Sequence, residues 1–336
     1  MFSTYRAVGT AILVSVSVNA WAAPRETTYT GICEASAAVA LDAKSFIVAD
    51  DEHNVLSIYQ MGVPKRQGTV DLTIYLGTTT VDGKVKKSDI EGAARVGNHI
   101  YWIASHSRDK KGNPEESRLR FFATQLTGHG VRTRVAVPPT PPYRGLLQDL
   151  IADSRFGVIA NAAAAKKGPE DPEGLNIEGL AGTPEGHLLI GFRNPRPGGM
   201  ALLVPLQNPG EVVAGRSQAR FGDPILLDLG KRGIRSIDWV EKHYIIVAGP
   251  YDNGGNGGEG SDFALYSWSG QASEHPKRWV NAPLGTLGPE AVFQIPGTQL
   301  IHLLSDDGDL CQRLNLTGSA MSFRGVTLDL STAVFQ

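Results

Sequence analysis

No surplus of positive charge marks this chain: 32 lysines and arginines stand against 34 aspartates and glutamates, for a formal net charge of −2. A nucleic-acid surface needs a basic field, so that class of partner is excluded. Long hydrophobic runs are missing too. The longest near the start, residues 11–18, is too short to cross a bilayer as a helix, and nothing later is both long and apolar enough. Cysteine occurs only at Cys33 and Cys311, and no histidine and cysteine cluster of zinc-binding spacing accompanies it. Familiar catalytic signatures are also lacking. There is no Gly-x-Ser-x-Gly elbow, no His-Glu-x-x-His pair and no EF-hand loop, and residues 77–84 hold one residue too many between glycines for a phosphate-binding loop. Asn315-Leu316-Thr317 fits a glycosylation acceptor, a motif too short and common to carry weight.

What is present begins with residues 1–22, where Arg6, the short apolar run and Ala20-Trp21-Ala22 read as a secretory leader cleaved near Ala22. A periplasmic or secreted protein is expected, unless the segment stays as an anchor. An oxidising compartment would let Cys33 and Cys311 pair across the whole chain, while two separate buried thiols are the alternative.

The strongest signal is internal repetition. Cys33-Glu34-Ala35-Ser36-Ala37, Ile90-Glu91-Gly92-Ala93-Ala94, Ile177-Glu178-Gly179-Leu180-Ala181, Ile234-Arg235-Ser236-Ile237-Asp238 and Pro289-Glu290-Ala291-Val292-Phe293 align. Their charged second positions are separated by 57, 87, 57 and 55 residues. A second apolar run follows each across a turn, at 45–49, 99–104, 187–192, 243–248 and 300–304. Third runs lie at 55–59, 119–126, 200–206, 263–268 and 310–314, and fourth runs at 69–76, 131–137, 225–229, 277–280 and 323–330. Four short strands repeated around a ring predict an all-β fold, a five-bladed β-propeller in one domain over 23–336. The blades fall near 31–76, 89–138, 175–229, 233–282 and 288–331. The long second interval predicts a helical insertion over 143–174, although a sixth, degenerate blade there is the alternative. The insertion would form a lid at the tunnel mouth or fill a gap between blades.

In such blades the start of the first strand and the end of the second share one face. Polar residues gather there: Asp50-Asp51-Glu52, His106-Ser107-Arg108-Asp109, Arg193-Asn194, Tyr251-Asp252 and Ser305-Asp306-Asp307. Glu34, Glu91, Glu178 and Glu290, with Arg235 in the remaining blade, are expected to point at the axis. Four such carboxylates cannot all ionise uncompensated. Pairing with Arg235, protonation or a hard cation would each relieve them. Calcium suits a site of flexible oxygen ligands, with Glu34, Glu91, Glu178, Glu290, Asp50 and Asp307 as candidate ligands; zinc does not suit it. No organic cofactor is indicated.

Gly31-Ile32-Cys33-Glu34-Ala35-Ser36, Asp89-Ile90-Glu91-Gly92-Ala93-Ala94, Leu175-Asn176-Ile177-Glu178-Gly179-Leu180-Ala181 and Gly191-Phe192-Arg193-Asn194-Pro195 resemble a bacterial family known as domain of unknown function 3616. The resemblance continues through Phe221-Gly222-Asp223-Pro224, Gly233-Ile234-Arg235-Ser236-Ile237, Val247-Ala248-Gly249-Pro250 and Leu304-Ser305-Asp306-Asp307-Gly308, and implies no activity. More distantly, Glu178-Gly179-Leu180-Ala181 with its following strand looks like the repeat of the esterase-like phytase domain, which implies calcium and phosphoesters.

Two functions remain open at this point. One is a binding propeller that takes an anionic small molecule or a protein partner on the polar face. The other is a calcium-dependent hydrolase of phosphorylated or other anionic substrates. In the second, the cation would activate water, and Arg108, Arg193, Asn194, Arg235 and Asp252 would hold the anion. His106 or Asp306 would move the proton, though a lone histidine such as His106 is also an ordinary structural residue.

Overall fold

A computed structural model describes residues 25–128, 133–252 and 260–336, so the leader expected at 1–22 lies outside the described residues. Among the described residues, twenty strands form five four-stranded antiparallel sheets. Blade one holds β2 (Ala35–Ala40), β3 (Ser45–Asp50), β4 (His53–Gln60) and β5 (Gly68–Asp71). Blade two holds β6 (Ile90–Val96), β7 (His99–Ala104), β8 (Phe121–Thr127) and β9 (Arg134–Ala136). Blade three holds β10 (Asn176–Gly182), β11 (Leu188–Asn194), β12 (Ala201–Leu206) and β13 (Ile225–Leu227). Blade four holds β14 (Gly233–Val240), β15 (His243–Gly249), β16 (Ala264–Trp268) and β17 (Lys277–Arg278). Blade five is assembled from both ends of the chain, in the order β18 (Pro289–Gln294), β19 (Leu300–Ser305), β20 (Ser322–Asp329) and β1 (Arg25–Thr30).

The fifth blade departs from the expected boundaries. Residues 310–314, read as its third strand, lie in a helix, Gly308–Arg313, and the next residue. The run read as its fourth strand is its third, and β1, outside every expected blade, completes the sheet along β20 from Arg25↔Thr327 to Thr30↔Ser322. Cys33 and Cys311 form a disulfide with a Cα–Cα distance of 6.2 Å, so the ring is closed twice, by strand pairing and covalently.

The burial pattern follows from stacking blades face to face. Side chains alternate across a strand, so each inner strand feeds two interfaces. Ala37 and Val39 pack between blades one and two, whereas Ala38 and Ala40 pack between blades five and one. Apolar clusters fill the blade interfaces in this way, five of them around the ring. Strands buried on both faces need near-continuous apolar sequence, and β10 and β11 are buried at every position. The insertion is helical, with helices at Leu146–Ala152 and Gly157–Ala164, and it adds no sixth blade. Its Leu146, Leu150, Phe156 and Ile159 are buried in the cluster between blades two and three, which places it as packing for that interface. Gly112 receives it: a Cβ there would stand 2.0 Å from the carbonyl oxygen of Lys166, so only glycine lets the two backbones touch. No helix among the described residues is long and apolar enough to cross a membrane.

Candidate functional site

Each inner strand carries one bulge near its start, and the bulges correct the sequence alignment. Glu91 falls between the pairs Ile90↔Ala104 and Gly92↔Ile103, and Glu178 between Ile177↔Phe192 and Gly179↔Gly191. Arg235 falls between Ile234↔Ala248 and Ser236↔Val247, and Glu290 between Pro289↔Ser305 and Ala291↔Leu304. A bulged residue leaves the ladder, and its side chain is re-aimed. In blade one the residue in this seat is Ser36, between Ala35↔Asp50 and Ala37↔Ala49. Its hydroxyl donates to the Ile90 carbonyl at 2.6 Å, tying blade one to blade two. Glu34 lies two residues earlier, outside the strand, where its backbone bridges to Asp306 of blade five. A small residue follows every bulge. At Gly179 the reason is visible, since a Cβ would come within 2.7 Å of Ile234 from the next blade.

The residues around the axis divide into two sectors. In blades three and four the charges are matched. Glu178, 3% exposed, accepts from Arg193 at 3.0 Å and lies 2.6 Å from the Arg235 Nε, and Arg235 also pairs with Glu290. Asn176 donates to Glu178 at 2.7 Å, and Arg235 donates to the Pro250 carbonyl at 3.1 Å.

In blades five, one and two carboxylates outnumber cations. Glu34, Asp51 and Glu52 bring one oxygen each within 4.8 Å of one another, and so do Asp51, Asp89 and Glu91. Two cations answer them. Lys87 reaches Asp89 at 3.0 Å, Asp51 at 3.5 Å and Glu52 at 2.5 Å, and Arg118 reaches Asp89 at 3.1 Å. Glu91, only 9% exposed, has no hydrogen bond or ion pair among the described residues. Burial, then the charges of Asp89, Glu178 and Asp51, push its carboxyl well above the usual range. Burial and the neighbouring Asp51, Asp306 and Glu52 raise Glu34 to about 10, and burial raises Asp306 to about 7. Asp51 is also raised, chiefly by burial. Burial opposes the charge of Lys87, but Asp89, Asp51 and Glu52 hold it above its ordinary value.

Asp307 is taken by Arg324 at 2.6 Å, and Asp50 by His53 at 3.2 Å, so neither joins the acidic groups. Arg108 gives its guanidinium to the carbonyls of Ala163 and Gly112. Asn194, fully buried, donates to the Pro169 and Tyr251 carbonyls and so joins the insertion to blade four. Asp252 ends the described part of the blade-four rim, next to Tyr251, on whose ring the Arg196 guanidinium rests at 4.0 Å. His106 and Asp306 stand on different blades with different partners: His106 against the Ala104 carbonyl, Asp306 accepting from the Gly308 amide. Sequence reasoning passed over Asp51, Glu52, Asp89, Lys87 and Arg118. Asp51 and Glu52 were visible in the acidic run after the second strand, but which of its members turns inward depends on a register that only the fold supplies.

Residues 140–299 match the family model described as "Protein of unknown function (DUF3616)", which supports the family resemblance over that stretch. No curated protein sequence matches the chain. Among solved structures, the PQQ-bound aldose sugar dehydrogenase of Streptomyces coelicolor is similar at 12% identity over 90% of this chain and 99% of that one, with a TM-score of 0.43. The glutaminyl cyclase of Myxococcus xanthus is similar at 11% identity over 92% and 95%, with a TM-score of 0.46. Likeness at this level carries no argument about chemistry.

Proposed function

We propose that this propeller is a cation-dependent binding module, with a calcium ion seated among Asp51, Asp89 and Glu91, Glu34 and Glu52 within reach, and an anionic small molecule as the ligand that completes its coordination. The observation that carries the reading is Glu91: a carboxylate buried to nine-tenths, without a partner, inside a group of three converging oxygens. An all-oxygen donor set without sulfur or imidazole suits calcium, whose six to eight coordination positions would leave room for ligand oxygens beyond three carboxylates. Lys87, flexible and 26% exposed at its side chain, would swing outward as the ion enters.

Binding is favoured over the hydrolytic alternative because of how the cations are used. Arg108 is held by backbone carbonyls and Arg193 by Glu178, so the anion clamp that hydrolysis asks for is already engaged. The esterase-like phytase relation stands as a proposal of the same kind, with phosphoesters as the anions to try. An exported protein is part of this reading, supported by the Cys33–Cys311 bond.

The test is the thermal midpoint of the chelator-treated protein with and without millimolar calcium. A ligand at about 100 times its dissociation constant adds about 2.7 kcal/mol, so a rise of several degrees is expected, and Glu91→Gln should remove it. No rise with calcium, magnesium or manganese would overturn the proposal.

A further inference from the structure

The seam that closes the ring carries a second candidate site, away from the axis. Between the end of β1 and the face of β4 and β5 lies a groove of about 740 Å³, within the range of small-molecule pockets. Residues 30–32 and Met321 wall it on the side of blade five, and Val55 and Thr69 on the side of blade one. Val55 and Ser57 share a face of β4 with Tyr59, which packs between blades five and one, and they pair across the sheet with Asp71 and Thr69.

Arg66 is the unusual wall. Backbone hydrogen bonds fix the chain on either side of it: the Thr30 amide donates to the Pro64 carbonyl at 2.9 Å, and the Gln67 amide donates to the Ile58 carbonyl at 2.7 Å. The residue is half-buried, and its guanidinium carbon stands 3.5 Å from where a Cβ on Gly31 would lie, so the head group rests against the groove wall. That guanidinium makes only two hydrogen bonds, both from one nitrogen and both long, to the Gly31 carbonyl at 3.5 Å and the Ser57 hydroxyl at 3.4 Å. A guanidinium has five N–H donors, so most of this one's capacity is unused by the protein. Neither Arg66 nor the exposed Lys65 beside it has an ion pair among the described residues.

The remaining charged groups of the lining have partners. Asp50, 2% exposed, is answered by His53 at 3.2 Å and by the Glu52 amide at 2.9 Å, and Asp71 accepts from the Thr73 amide at 2.8 Å. The hydrogen bond to Asp50 raises the pKa of His53 and so favours its protonated form. With His53 protonated, Lys65, Arg66 and His53 stand against Asp50 and Asp71, and the lining keeps one net positive charge. We propose that this groove binds a small organic molecule bearing one carboxylate, which Arg66 and Lys65 hold while its apolar body lies against Ile32, Val55 and Met321. A planar carboxylate matches the fork of a guanidinium, and a single negative charge balances the lining. This site is separate from the axial one and does not depend on a cation. Because its walls belong to both sides of the seam, an occupant would also tie blade five to blade one.

The proposal is tested by calorimetric titration of the chelator-treated protein at pH 6 with benzoate and with benzamide, a probe of the same shape without the charge. Benzoate should bind at least about tenfold more tightly, the worth of a hydrogen bond to a charged group. The ¹⁵N resonance of Arg66 Nε should move as benzoate saturates, and the thermal midpoint should rise. Arg66→Met, which keeps an apolar stem over Gly31, should bring the two affinities together. Equal affinities in the unaltered protein, no binding of benzoate, or a stationary Arg66 resonance at saturation would overturn the assignment. Benzoate binding that appears only when calcium is added would belong to the axial site and overturn it too. Should Arg66→Met fail to fold, the two probes and the resonance of the unaltered protein still decide.

Discussion

The two sectors of the axial mouth are built on the same strand bulge and treat their charges in opposite ways. Around blades three and four, Glu178 and the Glu290 of blade five are answered by Arg235, itself in the equivalent seat of its own blade, and Arg193 adds a second guanidinium to Glu178. In blades five, one and two, Glu34, Asp51, Glu52, Asp89, Glu91 and Asp306 share Lys87 and Arg118. Buried charges that are matched by the protein hold blades together. Buried charges left in excess stay there by taking up protons or a cation. Position in the repeat is therefore a poor guide to role, because the counter-charge decides it.

The matched sector should respond most strongly to substitution. Arg235→Met leaves Glu178 and Glu290 short of their shared cation, and uncompensating a buried pair costs about 3–5 kcal/mol. Urea unfolding should show a loss of that size, with the β-sheet circular dichroism of the folded state retained; an unaltered midpoint would mean that the pairing contributes nothing to the matched sector.

A smaller effect should come from pH on the acidic side. The folded pKa values of Asp306, about 7, and Glu34, about 10, lie above the ordinary carboxyl range. Between the unfolded and folded values the folded chain binds more protons, so stability is greatest in mild acid and falls as pH rises. In chelator-treated protein Asp306 alone is expected to contribute a loss of roughly 2–3 kcal/mol from pH 5 to pH 8, and saturating calcium should flatten it. A stability that instead climbs over this range would show that the carboxyls are not held protonated. The smallest effect belongs to the uncharged bulge. Ser36→Ala removes the hydrogen bond to Ile90 and should cost about 1 kcal/mol, without changing any response to calcium.

Much of the fold was legible because a propeller repeats, and repetition survives in one sequence as aligned strands. Isoleucine or proline, a charged residue and a small residue mark the inner strand in four blades, and the small residue is required where the next blade packs against Gly179. Blade one misled because Cys33-Glu34-Ala35 imitates that pattern two residues ahead of Ala35-Ser36-Ala37, which occupies the bulge. Blade five misled for a different reason. Leu310, Cys311 and Leu314 read equally as a strand or as one face of a short helix, and periodicity cannot separate the two over five residues. The strand Arg25–Thr30 has no place in a repeat search, since it is cut off in sequence from the blade it completes. Lys87 and Arg118, which decide how the acidic sector is balanced, come from connections whose length differs from blade to blade, so no alignment brings them together.

The double closure of the fifth blade also sets an order of events. β1 is synthesised ahead of four whole blades and finds its partner strand only when β20 has been made, and Cys33 must wait across 278 residues for Cys311. The ring therefore cannot close before β20 and Cys311 have both been made. Until β20 arrives, β1 remains an unpaired edge open to the wrong neighbour.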